Sequence, residues 1–234
     1  MAQTAPFPTV PAPYGLKPIN LIGGQVFAGS TRLLKVTNSY SSNIFYGDVV
    51  KIVAAGTVEK DVGEATATPV GIFLGCVYTN PTNSQKTWSQ YWPASVTATD
   101  IYAYVADDPD VLFKAALVAG TTEDGNGLTI AFLGQAMVGS NVELVQNAGS
   151  TGTGDSKVGI YSAAGNTTTA SLPVRIVDVV PETANSSGNF CEFICKFNAP
   201  YPVATSVYAA GPPITVTTTT VMTGGHQYLN PTGI

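Results

Sequence analysis

The sequence predicts an all-β protein with a β-barrel or β-sandwich body, and three observations carry that prediction. Short segments rich in β-branched and aromatic residues recur along the chain, with Gly-, Asn- and Ser-rich breakers between them. No window sustains a helical period. The 24 glycines and 16 prolines among 234 residues supply the turns that so many short strands need.

Residues 1–30 read as an extended N-terminal arm. Prolines at positions 6, 8, 11, 13 and 18 favour a polyproline-like path, and Gly23-Gly24 follows as a joint. Phe7, Val10, Tyr14, Leu16, Ile19 and Leu21 make the arm more apolar than a disordered linker. It is therefore expected to lie against a surface, either its own body or an adjacent subunit, and these six residues are candidates for a protein interface.

The body is expected over residues 31–197, with room for two small β subdomains meeting near 107–127. In its first half, strands are predicted at 33–36, 44–46, 49–53, 58–60, 70–78 and 101–105. Gly47-Asp48 gives a turn before the third of these, and Ala55-Gly56-Thr57 closes a hairpin into the fourth. The continuous apolar run 70–78, with two internal glycines, reads as a buried, bent strand. Further strands are predicted at 112–117, 128–133, 142–145, 158–161, 174–180 and 190–197. Residues 198–234 form a Pro/Gly/Thr-rich C-terminal extension in which 214–221 has the composition of an edge strand.

Composition narrows the functions available. Charged residues are 11% of the chain, against roughly 25% in an average soluble domain, and Thr, Ser, Asn, Gly and Pro take their place. Such a surface suits a subunit largely covered by its neighbours. The net charge of -5 and ten scattered basic residues argue against nucleic-acid binding. No segment approaches the roughly 20 apolar residues that cross a bilayer, so no membrane partner is expected. The N-terminal stretch has neither the basic start nor the apolar centre of a secretion signal.

Catalytic chemistry is poorly supplied. The single histidine, His226, lies in a Gly-rich stretch and would have to carry any imidazole-based mechanism alone. Cys76, Cys191 and Cys195 show no Cys-x-x-Cys spacing. On a strand, Cys191 and Cys195 share a face about 13 Å apart, too far for a disulfide, so buried reduced thiols are expected. The acidic stretches Asp107-Asp108-Pro109-Asp110 and Glu123-Asp124-Gly125-Asn126-Gly127 offer oxygen ligands to Ca²⁺, yet Asp-Pro and Asp-Gly are ordinary turn formers. No phosphate-binding or dinucleotide-binding glycine pattern is present. The expectation is a protein without catalytic residues, cofactor or metal. The one concentration of large aromatics in a polar setting is Trp88-Ser89-Gln90-Tyr91-Trp92-Pro93. Trp88, Tyr91 and Trp92 can cap a barrel end, anchor a protein interface or stack on a sugar ring.

Several stretches resemble virion proteins of tailed bacteriophages, marine ones especially. They are 13–24 (PYGLKPINLIGG), 44–50 (IFYGDVV), 69–78, 89–94 (SQYWPA) and 104–109 (YVADDP), spread over roughly the first half of the chain. The Gly-Asp-Val-Val turn followed by Pro-Val-Gly-Ile is also similar to the small β-barrel head decoration, or cement, proteins of phages. That resemblance implies a non-enzymatic subunit on the exterior of the phage head, assembled in the host cytoplasm. Its partners would be the major capsid protein and copies of itself, as a trimer. Competing assignments are the main capsid subunit, a tail or fibre component, and a carbohydrate-binding adhesin using the aromatic loop.

Overall fold

The computed structural model describes residues 13–118, 134–161, 172–183 and 191–198. In chain order its strands are β1 (Lys17–Leu21), β2 (Arg32–Lys35), β3 (Val49–Ile52), β4 (Val58–Lys60), β5 (Gly71–Thr79) and β6 (Lys86–Ser89). They continue with β7 (Tyr102–Ala106), β8 (Val111–Ala116), β9 (Asn141–Val145), β10 (Gly159–Tyr161), β11 (Val174–Val179) and β12 (Glu192–Phe197). The expected strand at 128–133 and the edge strand at 214–221 lie outside the described residues.

The strands form two antiparallel sheets of six. The first runs β1-β8-β12-β11-β9-β10, and the second β2-β7-β5-β3-β4 with β6 paired to β5. The second sheet curls until its end strands meet, and in the first β10 comes round to the continuation of β8, with β1 beyond it at the edge. Leu117, just past β8, forms a parallel bridge to Ile160 of β10, and Val118 N donates to Ile160 O at 2.9 Å. Val36, just past β2, bridges in parallel to Val58 of β4. Closure satisfies backbone groups that an open edge would leave unpaired. The chain crosses from the second sheet to the first at 107–110, so β2 to β7 build one unit and β8 to β12, with β1, the other.

Each unit encloses its own core. Phe113, Leu144, Ile160, Ile176, Phe193 and Phe197 fill the first, and Val50, Phe73, Tyr78, Trp92, Ala103 and Val105 the second. The period of two along a strand decides how the units meet. Val50 and Phe73 point into the second core, while their neighbours Val49 and Ile72 point out and join the first. That is why 70–78 reads as a continuous apolar run: β5 is buried on both faces where it begins. A bulge between Phe73 and Cys76 then resets the alternation, so Phe73, Cys76 and Tyr78 all face the same core. Gly75 sits in the bulge with φ +135°, a backbone conformation that side chains rarely adopt.

The two units are stitched around Asp48, whose side chain is fully buried. Its carboxylate accepts from Phe45 N at 2.8 Å, from Ser156 Oγ at 2.6 Å and from Lys60 Nζ at 3.1 Å. Ser156 Oγ accepts in turn from Val158 N at 3.0 Å. The backbone continues the pattern. Leu16 N donates to Gly47 O at 2.9 Å, Gly47 N to Phe73 O at 2.8 Å, and Gly15 N to Val158 O at 3.1 Å. Glycine is required at position 15, where φ is +78° and a Cβ would come within 2.7 Å of Ser156 Cβ.

This arrangement corrects the expected arm. Residues 14–21 belong to the body of their own chain, because β1 pairs with β8 and Leu16 is fully buried in the first core. Leu16, Ile19 and Leu21, three of the apolar residues that set the arm apart from a linker, serve the first sheet and its core. β6 was not expected as a strand; it borders the second sheet where the sequence suggests an irregular loop. At the far end, Asn198 still belongs to the body, its N donating to Pro173 O at 2.8 Å.

Replacing Asp48 by Ala strands a buried lysine and two buried donors, and should cost about 3–5 kcal/mol of folding stability. Ser156→Ala, which removes one of those partners, should cost about 1–2 kcal/mol. Urea midpoints of the two variants check both values and their order.

Candidate functional site: an aromatic face on the second sheet

Strands β2, β7, β5 and β6 turn one set of side chains inward and the alternate set outward. Register places Tyr102 opposite Lys35 on one side and Val77 on the other, and Val77 opposite Trp88. In the adjoining row Leu33 lies opposite Tyr104. The outer face therefore carries Leu33, Tyr102, Tyr104, the buried Val77 and Trp88, with Lys35 at its border; Leu33 is 52% and Trp88 68% exposed. A contiguous exposed apolar area of this kind marks an interaction surface more often than isolated exposed residues do.

An open groove of about 460 Å³ runs beside Trp88, lined by Tyr46, Leu74, Gly75, Cys76, Trp88, Ser89, Gln90 and Tyr104. The bulge at Gly75 helps shape its floor. No charged side chain lines it. Burial pushes the Cys76 thiol up to about 12, which leaves it protonated and unreactive at neutral pH. Cys191 and Cys195 are buried as well.

One end of the groove adjoins a polar cluster around Tyr14. Tyr14 donates its hydroxyl to Glu192 Oε1 at 2.5 Å, and Lys114 Nζ donates to Glu192 Oε2 at 3.1 Å. Burial, reinforced by the Glu192 hydrogen bond and charge, holds the Tyr14 hydroxyl far above its ordinary pKa, so it stays a donor. The Lys17 ammonium lies 5.3 Å from the Tyr14 ring centre and 5.4 Å from that of Tyr46, joining cluster and groove.

At the start of β6, Asp100 accepts from Thr79 N at 3.0 Å, Thr79 Oγ1 at 2.7 Å and Lys86 Nζ at 2.5 Å. These bonds clamp the start of β6, the strand that presents Trp88. The Lys86 hydrogen bond first, then those of Thr79, hold the Asp100 carboxyl well below its ordinary value of 3.8.

The structure separates the three aromatics that the sequence groups. Trp88 is exposed on the outer face. Tyr91 is half-buried and stacked on Phe45, with ring centres 5.6 Å apart. Trp92 is fully buried in the second core, edge-on to Tyr78 at 5.3 Å, with its backbone bridged to Ile44. The three share no surface, so they make no common platform for a sugar or a partner. Leu16 and Trp92 are taken up by the cores of this chain and have no surface left for an interface. Ile19 and Leu21 lie on β1 and are partly buried, and Phe7 and Val10 lie outside the described residues. The face formed by Leu33, Tyr102 and Tyr104 was missed. Its signal was the alternation of 101–105, in which tyrosines share one side of a strand and small apolar residues the other.

The acidic turn at 107–110 is used structurally. Asp107 pairs with Arg32, Asp108 Oδ1 accepts from Asp110 N at 2.8 Å, and Asp110 lies 3.5 Å from Lys196 Nζ. Among the described residues no three His, Cys, Asp or Glu side chains gather in a metal-binding arrangement. His226 and residues 123–127 lie outside the described residues. No helix among the described residues is long and apolar enough to cross a membrane. No protein-family model, curated protein or solved structure matches the chain.

Trp92→Ala should cost about 3–5 kcal/mol as a core cavity. Trp92→Phe should cost less, because the buried indole N–H has no hydrogen-bond partner among the described residues. Trp88→Ala should stay within about 0.5 kcal/mol of the parent, as an exposed site does. Chemical denaturation of the three variants tests this separation.

Because the folded-state pKa of Asp100 lies below its unfolded value, its stabilisation is present above 3.8 and fades as pH falls below it. Asp100→Asn should therefore melt below the parent at pH 6, with the gap closing as the pH is lowered through 3.8 and beyond. Paired melting curves across that range read the effect.

Proposed function

We propose that the chain is a non-enzymatic structural subunit of a tailed-phage virion, a decoration or cement subunit that bridges neighbouring capsomers on the head exterior. Its partners in this reading are the major capsid protein and further copies of itself, arranged as a trimer. The observation that carries the proposal is the partly exposed aromatic face of the second sheet beside a groove with no charged lining, on a chain with few charges. A subunit tiled against neighbours loses little by exposing such a face, whereas a free monomer gains solubility from charge.

The phage-like stretches support the same reading. Those at 44–50, 69–78 and 104–109 supply the Asp48 turn, β5 and the end of β7, which are neighbours in the second unit. A clamp must resist capsomers pushed apart by packaged DNA. Several modest contacts acting together supply that resistance, since linked contacts multiply their effect. The main capsid subunit is less favoured: that family resembles a mixed α/β fold with a long spine helix, and the described residues contain no α-helix. A glycan-binding tail component is the second reading, favoured by the open groove in which Ser89 and Gln90 flank Trp88.

Quantitative peptide mass spectrometry of purified virions tests the proposal through copy number. Abundance near that of the main capsid subunit is the expected result. A few copies per particle would move the assignment to the tail and to the glycan reading. Absence from the particle would end both.

A further inference from the structure

We propose that the free edge of β6 pairs with β6 of a second copy of this chain, antiparallel, about a two-fold axis through Thr87. The inference goes beyond the virion reading and stands without it.

The backbone shows which groups the edge offers. Asn80 N donates to Gln85 O at 2.9 Å, so 80 and 85 form a hydrogen-bonded pair at the turn between β5 and β6. In an antiparallel ladder such pairs recur at every second residue. Register therefore turns the main-chain groups of Thr87 towards Tyr78 and those of Ser89 towards Cys76. The N–H and C=O groups of Lys86 and Trp88 point the other way, out of the sheet. β6 pairs with β5 alone, and no hydrogen bond among the described residues reaches those groups. Beyond its shortness the edge carries no guard against pairing. It has no proline and no bulge, and its one charge, Lys86, is held by Asp100 at 2.5 Å.

The occupant follows from the strand's complementarity to itself. An axis through Thr87 sets Lys86 opposite Trp88 of the other copy, and Trp88 opposite Lys86. Both are hydrogen-bonded pairs, so every outward main-chain group of one strand is met by the other. An axis through Trp88 would instead leave each Lys86 beyond the end of the facing strand. Side chains agree with the first register. Lys86 and Trp88 lie on the same outer face, so each ammonium comes to the other copy's exposed indole rather than to a like charge. Any other strand would need a cation and an aromatic two residues apart to answer this one. Lys86-Thr87-Trp88 is the one place in the chain with that spacing, since no other Lys or Arg has an aromatic residue two positions away. A second β6 supplies the pattern, and no other segment of this chain does. The joined sheet also carries the row Tyr102, Val77 and Trp88 of one copy on into that of the other.

The full chain serves throughout the test. Amide exchange read by NMR should find the Lys86 and Trp88 amides fast in dilute solution and at least tenfold slower in concentrated solution, while sedimentation shows the mass rising. Mild oxidation of Thr87→Cys should give a disulfide-linked dimer, because residues facing each other across this axis bring their Cα atoms to about 4.5 Å. The native cysteines are buried and do not interfere. Val62→Cys, exposed in the loop after β4, should stay uncoupled. Trp88→Pro, which removes an N–H that β5 does not use, should weaken association at least tenfold with circular dichroism unchanged. If that variant does not fold, amide exchange of the unaltered chain decides alone.

Lys86 and Trp88 amides that exchange fast at every concentration would overturn the pairing, and association alongside them would place the contact between copies elsewhere. Amides slow at every concentration would mean that a single chain covers its own edge, which overturns it equally. Equal coupling of Thr87→Cys and Val62→Cys would reflect collision alone and count against the axis. None of these results bears on the virion reading, which copy number judges by itself.

Discussion

Everything in this molecule depends on a single buried carboxylate and the partners gathered round it. Two curled sheets share a boundary that is apolar on most of its area, and apolar contact alone has little directional preference. Asp48 adds direction. Its oxygens must be met by the donors of Phe45, Lys60 and Ser156, since an unpaired charge at that depth would be far more costly than any alternative packing. Phe45 and Lys60 meet Asp48 within the second unit, and the placement of the two units is what brings Ser156 to it as the third donor. Gly15 and Gly47 let the backbones approach closely enough for that placement to be reached.

The boundary also explains an economy in the second unit. Where β3 and β5 touch the first unit they are apolar on both faces, and beyond the bulge at Gly75 the outward face of β5 is free to serve the aromatic surface instead. A one-residue irregularity therefore divides β5 into a part that holds the molecule together and a part that borders the groove.

Much of this architecture was legible in the sequence. The hairpin of β3 and β4 followed from Ala55-Gly56-Thr57 between two apolar runs, and the structure joins those strands with Val53 N donating to Thr57 O at 2.9 Å. The boundaries of β7, β8, β9, β10 and β11 fell close to the alternating segments. β1 was obscured by Pro18, which weighs against a strand when read locally. Its place at the edge of the first sheet tolerates a missing donor. The site was harder to see, because neighbours in sequence are not neighbours on a sheet. Trp88 and Trp92 lie close in the chain but on different sides of the second unit, while Trp88 and Tyr102 are joined only through Val77. Strand register, which composition does not encode, decides which aromatics meet.

The placement of β1 has a consequence for synthesis. All strands of the second unit lie between Arg32 and Ala106, so that unit can close while the rest of the chain is still on the ribosome. β1 leaves the ribosome before any of them, yet its partner β8 begins at Val111, and the strand beyond, β12, ends at Phe197. Throughout that interval Leu16 waits without a core to enter. The first unit is thus bounded by an early strand and a late one, a connection of high contact order that folds slowly. A nascent chain halted between the two units would display a finished aromatic face on an unfinished protein, exposed to premature pairing with other nascent copies on the same message.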